Sequence, residues 1–181
     1  MCKKILPGMI AAALLAGSAM PAFSVDTGTV TFNGKIIEDT CNVKVNGTDK
    51  DGTVTFSDLY ASDFTGDDSV GDSQAFDIAL TDCDTSINNM NIKFEGSTVT
   101  GKGEEVLQTT GAATNVGVRL EDWTSAAVKF DGSMPATGSD KSVFGTGAAT
   151  FSYTAKVVQV GDEAPTKGDY TTQATYSLIY R

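Results

Sequence analysis

Cys41 and Cys83 carry the most definite chemistry in this chain of 181 residues, which has 3 cysteines and no histidine. Without histidine, the commonest general base and metal ligand and the Ser-His and Cys-His nucleophile pairs are all absent. The two cysteines lack the CxxC spacing of a redox pair or a metal site, so their expected chemistry is a structural disulfide. Asp49, Asp51 and Asp58 around Gly52 imitate a calcium loop of EF-hand type. With Gly52 in the invariant glycine place, however, the first ligand position falls on Gly47 and the last on an aspartate instead of a bidentate glutamate. A turn leading into a strand is the better reading. Asp67, Asp68 and Asp72 read as a solvated acidic loop, and Asp82 and Asp84 as surface carboxylates beside Cys83. Gly145-Thr146-Gly147 lacks the strand and helix that would make a phosphate cradle. No catalytic residue, cofactor or metal site is expected.

The elements that position these residues begin after an address. Lys3 and Lys4 precede the apolar run Met9 to Ala16, and small residues lead to Ala22-Phe23-Ser24, which is the three-part pattern of a secretory signal. Cleavage after Ser24 makes residues 1–24 the signal and starts the mature chain at Val25. The apolar run is well short of the roughly 20 residues that cross a bilayer, so membrane insertion is not expected. Cys2 leaves with the signal, and Cys41 and Cys83 remain as an even pair in an oxidising compartment, where a bridge is the default. The formal charge is −10. Nucleic acid and anionic membrane surfaces are excluded as partners by that sign.

Hydrophobic residues make up 40% of the chain, enough for one folded core. Apolar and polar residues alternate in short pieces bounded by Gly, Asn, Asp and Ser, the pattern of half-buried antiparallel strands. Strands are read at Val30–Phe32, Val54–Phe56, Phe76–Leu80, Ile92–Phe94, Val116–Leu120, Phe151–Val160 and Ala174–Tyr180. No window sustains a helical period. The regular spacing predicts an all-β, immunoglobulin-like β-sandwich. Both ends of the mature chain are strands: Val30, Phe32, Gly34 and Ile36 share one face before Cys41, and Ala174, Tyr176, Leu178 and Tyr180 share one face at the C-terminus.

On these pieces the sequence resembles the major subunits of chaperone-usher fimbriae, close to the type 1 pilins of Gram-negative bacteria. The matching segments are Gly28 to Ile37 ahead of Cys41, Phe76 to Leu80 leading to Asp82-Cys83-Asp84, Asn115 to Leu120, Phe151 to Ala155, and the terminal Ala174 to Tyr180 with tyrosine in the penultimate place. The resemblance implies an incomplete sandwich (residues 38–181) lacking its last strand, and an N-terminal donor-strand extension (residues 25–37). It implies that a periplasmic chaperone first fills the groove beside the C-terminal strand, which comprises Ala174, Tyr176, Leu178, Tyr180 and Arg181. At an outer-membrane usher, the next subunit's Val30, Phe32, Gly34 and Ile36 then replace the chaperone. Gly34 is expected to face a shallow part of that groove. A basic terminal residue, Arg181, departs from the family pattern.

The function implied is a structural subunit of an adhesive fimbria, with identical or related pilin subunits as partners, exported through the periplasm and assembled on the cell surface. The alternatives are a minor adaptor subunit of the same assembly, or a secreted monomeric β-sandwich that binds calcium or a glycan.

Overall fold

The structure is a computed structural model that describes residues 29–33 and 41–181. Gly34 and Ile36, and residues 1–24 read as the signal, lie outside the described residues. Ten strands follow one another in the body: β1 (Asn42–Val45), β2 (Val70–Thr81), β3 (Asn89–Gly96), β4 (Val106–Gln108), β5 (Thr110–Gly111), β6 (Val116–Glu121), β7 (Lys141–Ser142), β8 (Ala149–Gln159), β9 (Tyr170–Thr171) and β10 (Ala174–Tyr180). The only helical pieces among the described residues are two 3₁₀ turns, Ala61–Asp63 and Thr137–Ser139. None is long or apolar enough to cross a membrane.

A five-stranded antiparallel sheet runs in the order β1-β2-β8-β6-β4, and a three-stranded sheet in the order β10-β3-β7. Alternation in the sequence sets which face of each is buried. On β2 the side chains of Phe76, Ile78 and Leu80 point inward, and the β2–β8 register sets Ile78 opposite Phe151 and Phe76 opposite Tyr153. Met90, Ile92 and Phe94 of β3 supply the facing layer. Rings lock the two layers: Phe94 meets Tyr153 edge-on at 5.1 Å between centroids, and Phe76 stacks on Tyr153 at 5.5 Å. A smaller cluster of Phe64, Ala113, Val116 and Val157 closes one end.

Close packing explains two glycines. A Cβ on Gly52 would clash with Val45 Cγ1, so this glycine serves the packing of β1 and not a calcium loop. A Cβ on Gly71 would meet the Phe64 ring at 2.5 Å, where the β2–β8 register shifts between Val70 and Asp72.

Five of the strands read in the sequence appear at or near their expected places. Two do not. Val54–Phe56 lies in an extended segment without ladder pairing, and Val30–Phe32 adopts no secondary structure. A strand needs a partner, and among the described residues neither has one. The acidic loop is exposed, as expected, but its charges are paired within the chain. Asp67 and Asp68 pair with Lys102, and Asp68 with Arg119 at 2.7 Å, so the chain's own cations occupy the loop. Lys102, followed by the Gly161 N–H, holds the Asp67 carboxyl below its ordinary range.

Candidate functional site: the open edge beside the C-terminal strand

β10 pairs antiparallel with β3 along its whole length, Ala174 opposite Gly96 and Tyr180 opposite Met90. Among the described residues it has no ladder neighbour on its other edge. An edge strand presents a row of backbone donors and acceptors ready for another chain. The register places Tyr176, Leu178 and Tyr180 on the core face, beside Phe94, Ile92 and Met90, yet all three are only half-buried while the β3 residues are fully buried. The core is therefore open along this edge.

The opposite wall is the segment after β1. Val43, Val54 and Phe56 are half-buried and pack against the same core as Tyr176, Leu178 and Tyr180. Among the described residues, no backbone–backbone hydrogen bond is formed by residues 53–59; the Ser57 N–H donates to Asp72 Oδ2 at 2.9 Å. That bond is the main reason the Asp72 carboxyl sits below its usual range. At one end the Tyr176 hydroxyl spans to this wall, donating to the Lys50 carbonyl at 2.6 Å. Burial, and then the charges of Asp51 and Asp49, raise the Tyr176 pKa, so the hydroxyl keeps its proton. Two half-buried apolar segments, Val54 to Phe56 and Tyr176 to Tyr180, thus pack on one core, and among the described residues neither has a ladder partner on this side.

Cys41 and Cys83 form the disulfide, with a Cα–Cα distance of 4.1 Å. It ties the residue entering β1 to the residue just past β2, and Asn42 Nδ2 donating to Asp82 Oδ2 at 2.8 Å reinforces the junction. Asp82 and Asp84 thus cap local structure: Asp84 Oδ1 accepts from the Ser86 N–H at 2.8 Å. Among the described residues no cluster of acidic or sulfur ligands could hold a metal ion.

The terminal residue is fastened to the body. Arg181 and Asn89 exchange backbone hydrogen bonds of 2.8 and 3.0 Å. The Arg181 guanidinium donates to Asp140 Oδ1 at 2.7 Å and to the Pro135 carbonyl at 2.9 Å. Asn91, buried on the outer face of β3, donates to the same Asp140 oxygen and to Ser139 Oγ, both at 2.9 Å. The basic side chain that departs from the family pattern is thereby neutralised inside its own subunit. Ile179, which alternation assigns to the outer face, is buried beside this network. Sequence reasoning missed Ile179, Val43 and Asp140, because their partners are distant in the chain and only an apolar residue on a nominally polar face hinted at Ile179.

Val30 and Phe32 are 73% and 90% exposed. They are large apolar side chains that the described part of their own chain does not cover.

An antiparallel sandwich whose C-terminal strand is laddered on one edge among the described residues, with a disulfide joining the start of β1 to the end of β2, defines the class of a pilus subunit. The Fimbrial protein family model matches residues 30–181, and the chain belongs to that family. It is 30% identical over 165 residues to the type-1 fimbrial protein A chain of Escherichia coli strain K12, covering 88% of this chain and 87% of that one. It is 34% identical over 141 residues to the type-1 fimbrial protein C chain of Escherichia coli, covering 74% and 77%. A chain of a solved chaperone-usher pilus superposes with a TM-score of 0.65 at 25% identity, covering 90% of this chain and all of that one. The protein is a structural fimbrial subunit, exported and assembled on the cell surface.

Proposed function

We propose that the subunit polymerises by strand addition, the slot beside β10 receiving residues 25–37 of another copy. One observation carries this reading. Among the described residues β10 is laddered on one edge only, and its half-buried Leu178 and Tyr176 pack on the same core as Val54 and Phe56, which have no ladder partner there. A peptide strand supplies what such a slot lacks, namely backbone partners for both walls and alternate apolar side chains for the core. Val30 and Phe32 are exposed and separated by one residue, as one face of an inserted strand requires. Gly34 and Ile36 continue that face in the sequence. In this reading residues 1–24 are removed at export, and a periplasmic chaperone covers the slot until an outer-membrane usher exchanges it for the next subunit. Ala174, Tyr176, Leu178, Tyr180 and the α-carboxylate of Arg181 are then the chaperone's contacts. The Asp140 pairing keeps the Arg181 guanidinium out of its way.

Deleting residues 25–35 tests the reading. The truncated subunit should still co-purify with the chaperone and accept a strand, but should not donate one, so co-expression should shorten fibres seen by electron microscopy. A peptide spanning residues 26–37 should raise the melting temperature of the truncated subunit by mass action. Fibres of normal length from the deletion alone, or a stable monomer indifferent to the peptide, would overturn strand addition.

A further inference from the structure

On the side away from β10, β3 is only partly paired. β7 meets it at Asn89 and Met90, and Glu95 bridges to Asp131. Between these points a cavity of about 410 Å³ opens beside residues 91–94. That volume lies within the ordinary range of small-ligand sites, roughly 300–1,000 Å³. Its wall includes Phe94, Trp123 and Tyr153 together with Asp122, Lys93 and Lys129.

Two polar groups here are left without a protein partner. Tyr153 is 3% exposed, with its ring fixed between Phe76, Phe94 and Trp123, and its hydroxyl forms no hydrogen bond among the described residues. Arg119 Nε is the one buried side-chain polar atom without a partner among the described residues, so the Tyr153 hydroxyl is not sealed in the core but opens onto the cavity. Burial, and then the charge of Asp122, raise its pKa, so it remains a donor at neutral pH. Asp122 Oδ1 accepts from Thr124 N–H, Thr124 Oγ1 and Ala126 N–H at 2.8, 2.6 and 3.1 Å, which holds the turn that carries Trp123. Its second oxygen has no hydrogen bond among the described residues.

We propose that this cavity binds a neutral sugar ring, with the ring's C–H face on Trp123 and its hydroxyls meeting the Tyr153 hydroxyl, the Asp122 carboxylate and the ammonium groups of Lys93 and Lys129. The mixture of groups selects the class. An anion would meet Asp122, and a cation would meet two lysines, whereas a polyol both donates and accepts and so satisfies charges of either sign. An aromatic surface beside them suits the apolar face of a pyranose. The site lies across β3 from the strand-addition slot, and its success or failure leaves that reading untouched.

Trp123 is the sole tryptophan of the chain, so its fluorescence reports on this cavity directly. Purified wild-type fimbriae should be titrated with glucose, galactose, mannose and N-acetylglucosamine, followed by fluorescence and by calorimetry. A saturable response to at least one sugar is expected. Tyr153→Phe, which keeps the ring, and Lys129→Met, at an exposed position, should each weaken it about tenfold or less, the effect of one lost hydrogen bond. Lys44→Ala on β1 should not change it, and fibre yield by microscopy confirms that each variant folds. Absence of a saturable response to all four sugars would mean that water satisfies Tyr153 and would overturn the proposal. So would binding that Tyr153→Phe and Lys129→Met both leave intact.

Discussion

In β8, Phe151, Tyr153, Ala155 and Val157 alternate with Ser152, Thr154 and Lys156, and in β10, Tyr176, Leu178 and Tyr180 alternate with Ser177 and Ile179. The two segments follow the same rule, but the inward residues of β8 are fully buried and those of β10 only half. β8 is laddered on both edges, by β2 and β6. β10 has β3 alone among the described residues. Alternation specifies which face of a strand meets the core. How many neighbours cover that face depends on where the strand sits in the sheet, and in this fold the difference separates a strand laddered on both edges from one laddered on a single edge among the described residues.

The sharpest break in the comparison is a hole in β8. Phe151→Ala should cost about 3–5 kcal/mol, because Phe151 is fully buried and the rings around it restrict collapse. Chemical denaturation of the subunit should show this loss equally with the slot empty or filled by a strand peptide. Removing the bridge, as Cys41→Ser with Cys83→Ser, should cost about 2–5 kcal/mol and lower periplasmic yield. The loss falls on the β1 wall, so peptide binding should weaken while the β2–β8 pairing persists, as hydrogen exchange would report.

Leu178→Ala belongs to the open edge. Half-burial leaves it less to lose than a core leucine, about 1–2 kcal/mol in the lone subunit against the roughly 2–5 kcal/mol of full burial. With the peptide bound the cost should rise toward the higher range, because insertion completes the burial. An equal cost in both states would show that β10 is as well covered as β8. The smallest effect concerns the loop at Asp67. Its carboxyl is held below the ordinary value of 3.8 in the folded chain, so its contribution is complete above the unfolded pKa and is lost as pH falls through the lower folded one. Asp67→Asn should lower the melting temperature slightly at neutral pH and leave it nearly unchanged below the acid window, so that the fall across that window is flattened.

Much of the body was legible in advance because period-two alternation is local. Phe76–Leu80, Ile92–Phe94, Val116–Leu120 and the two long C-terminal segments each carry enough alternating residues to name a strand. β5, β7 and β9, at two residues each, are too short for any pattern to register, and β4 with three is little better. Val54–Phe56 shows the converse failure. Its alternation is real and Val54 and Phe56 both reach the core, but among the described residues no neighbouring strand supplies a ladder. The acidic loop at Asp67 and Asp68 is exposed, as its composition suggests, but its ion pairs were not legible, since Lys102 and Arg119 reach it only through the folding of distant strands.

What the sequence determined by itself was the local code: alternating faces, the residue types at Cys41 and Cys83, and the absence of histidine chemistry. Each depends on residue type and short spacing alone. Only the tertiary structure decided that β10 lies at an edge, that the segment around Val54 and Phe56 forms the opposite wall, and that Arg181 turns inward onto Asp140. Those outcomes come from contacts between residues 40 or more apart in the chain, with Arg181 and Asp140 separated by 41 positions and Tyr176 and Lys50 by 126. Such contacts form only when the whole sandwich closes, because the entropy lost in bringing distant segments together is offset by the shared core and not by any pair within it.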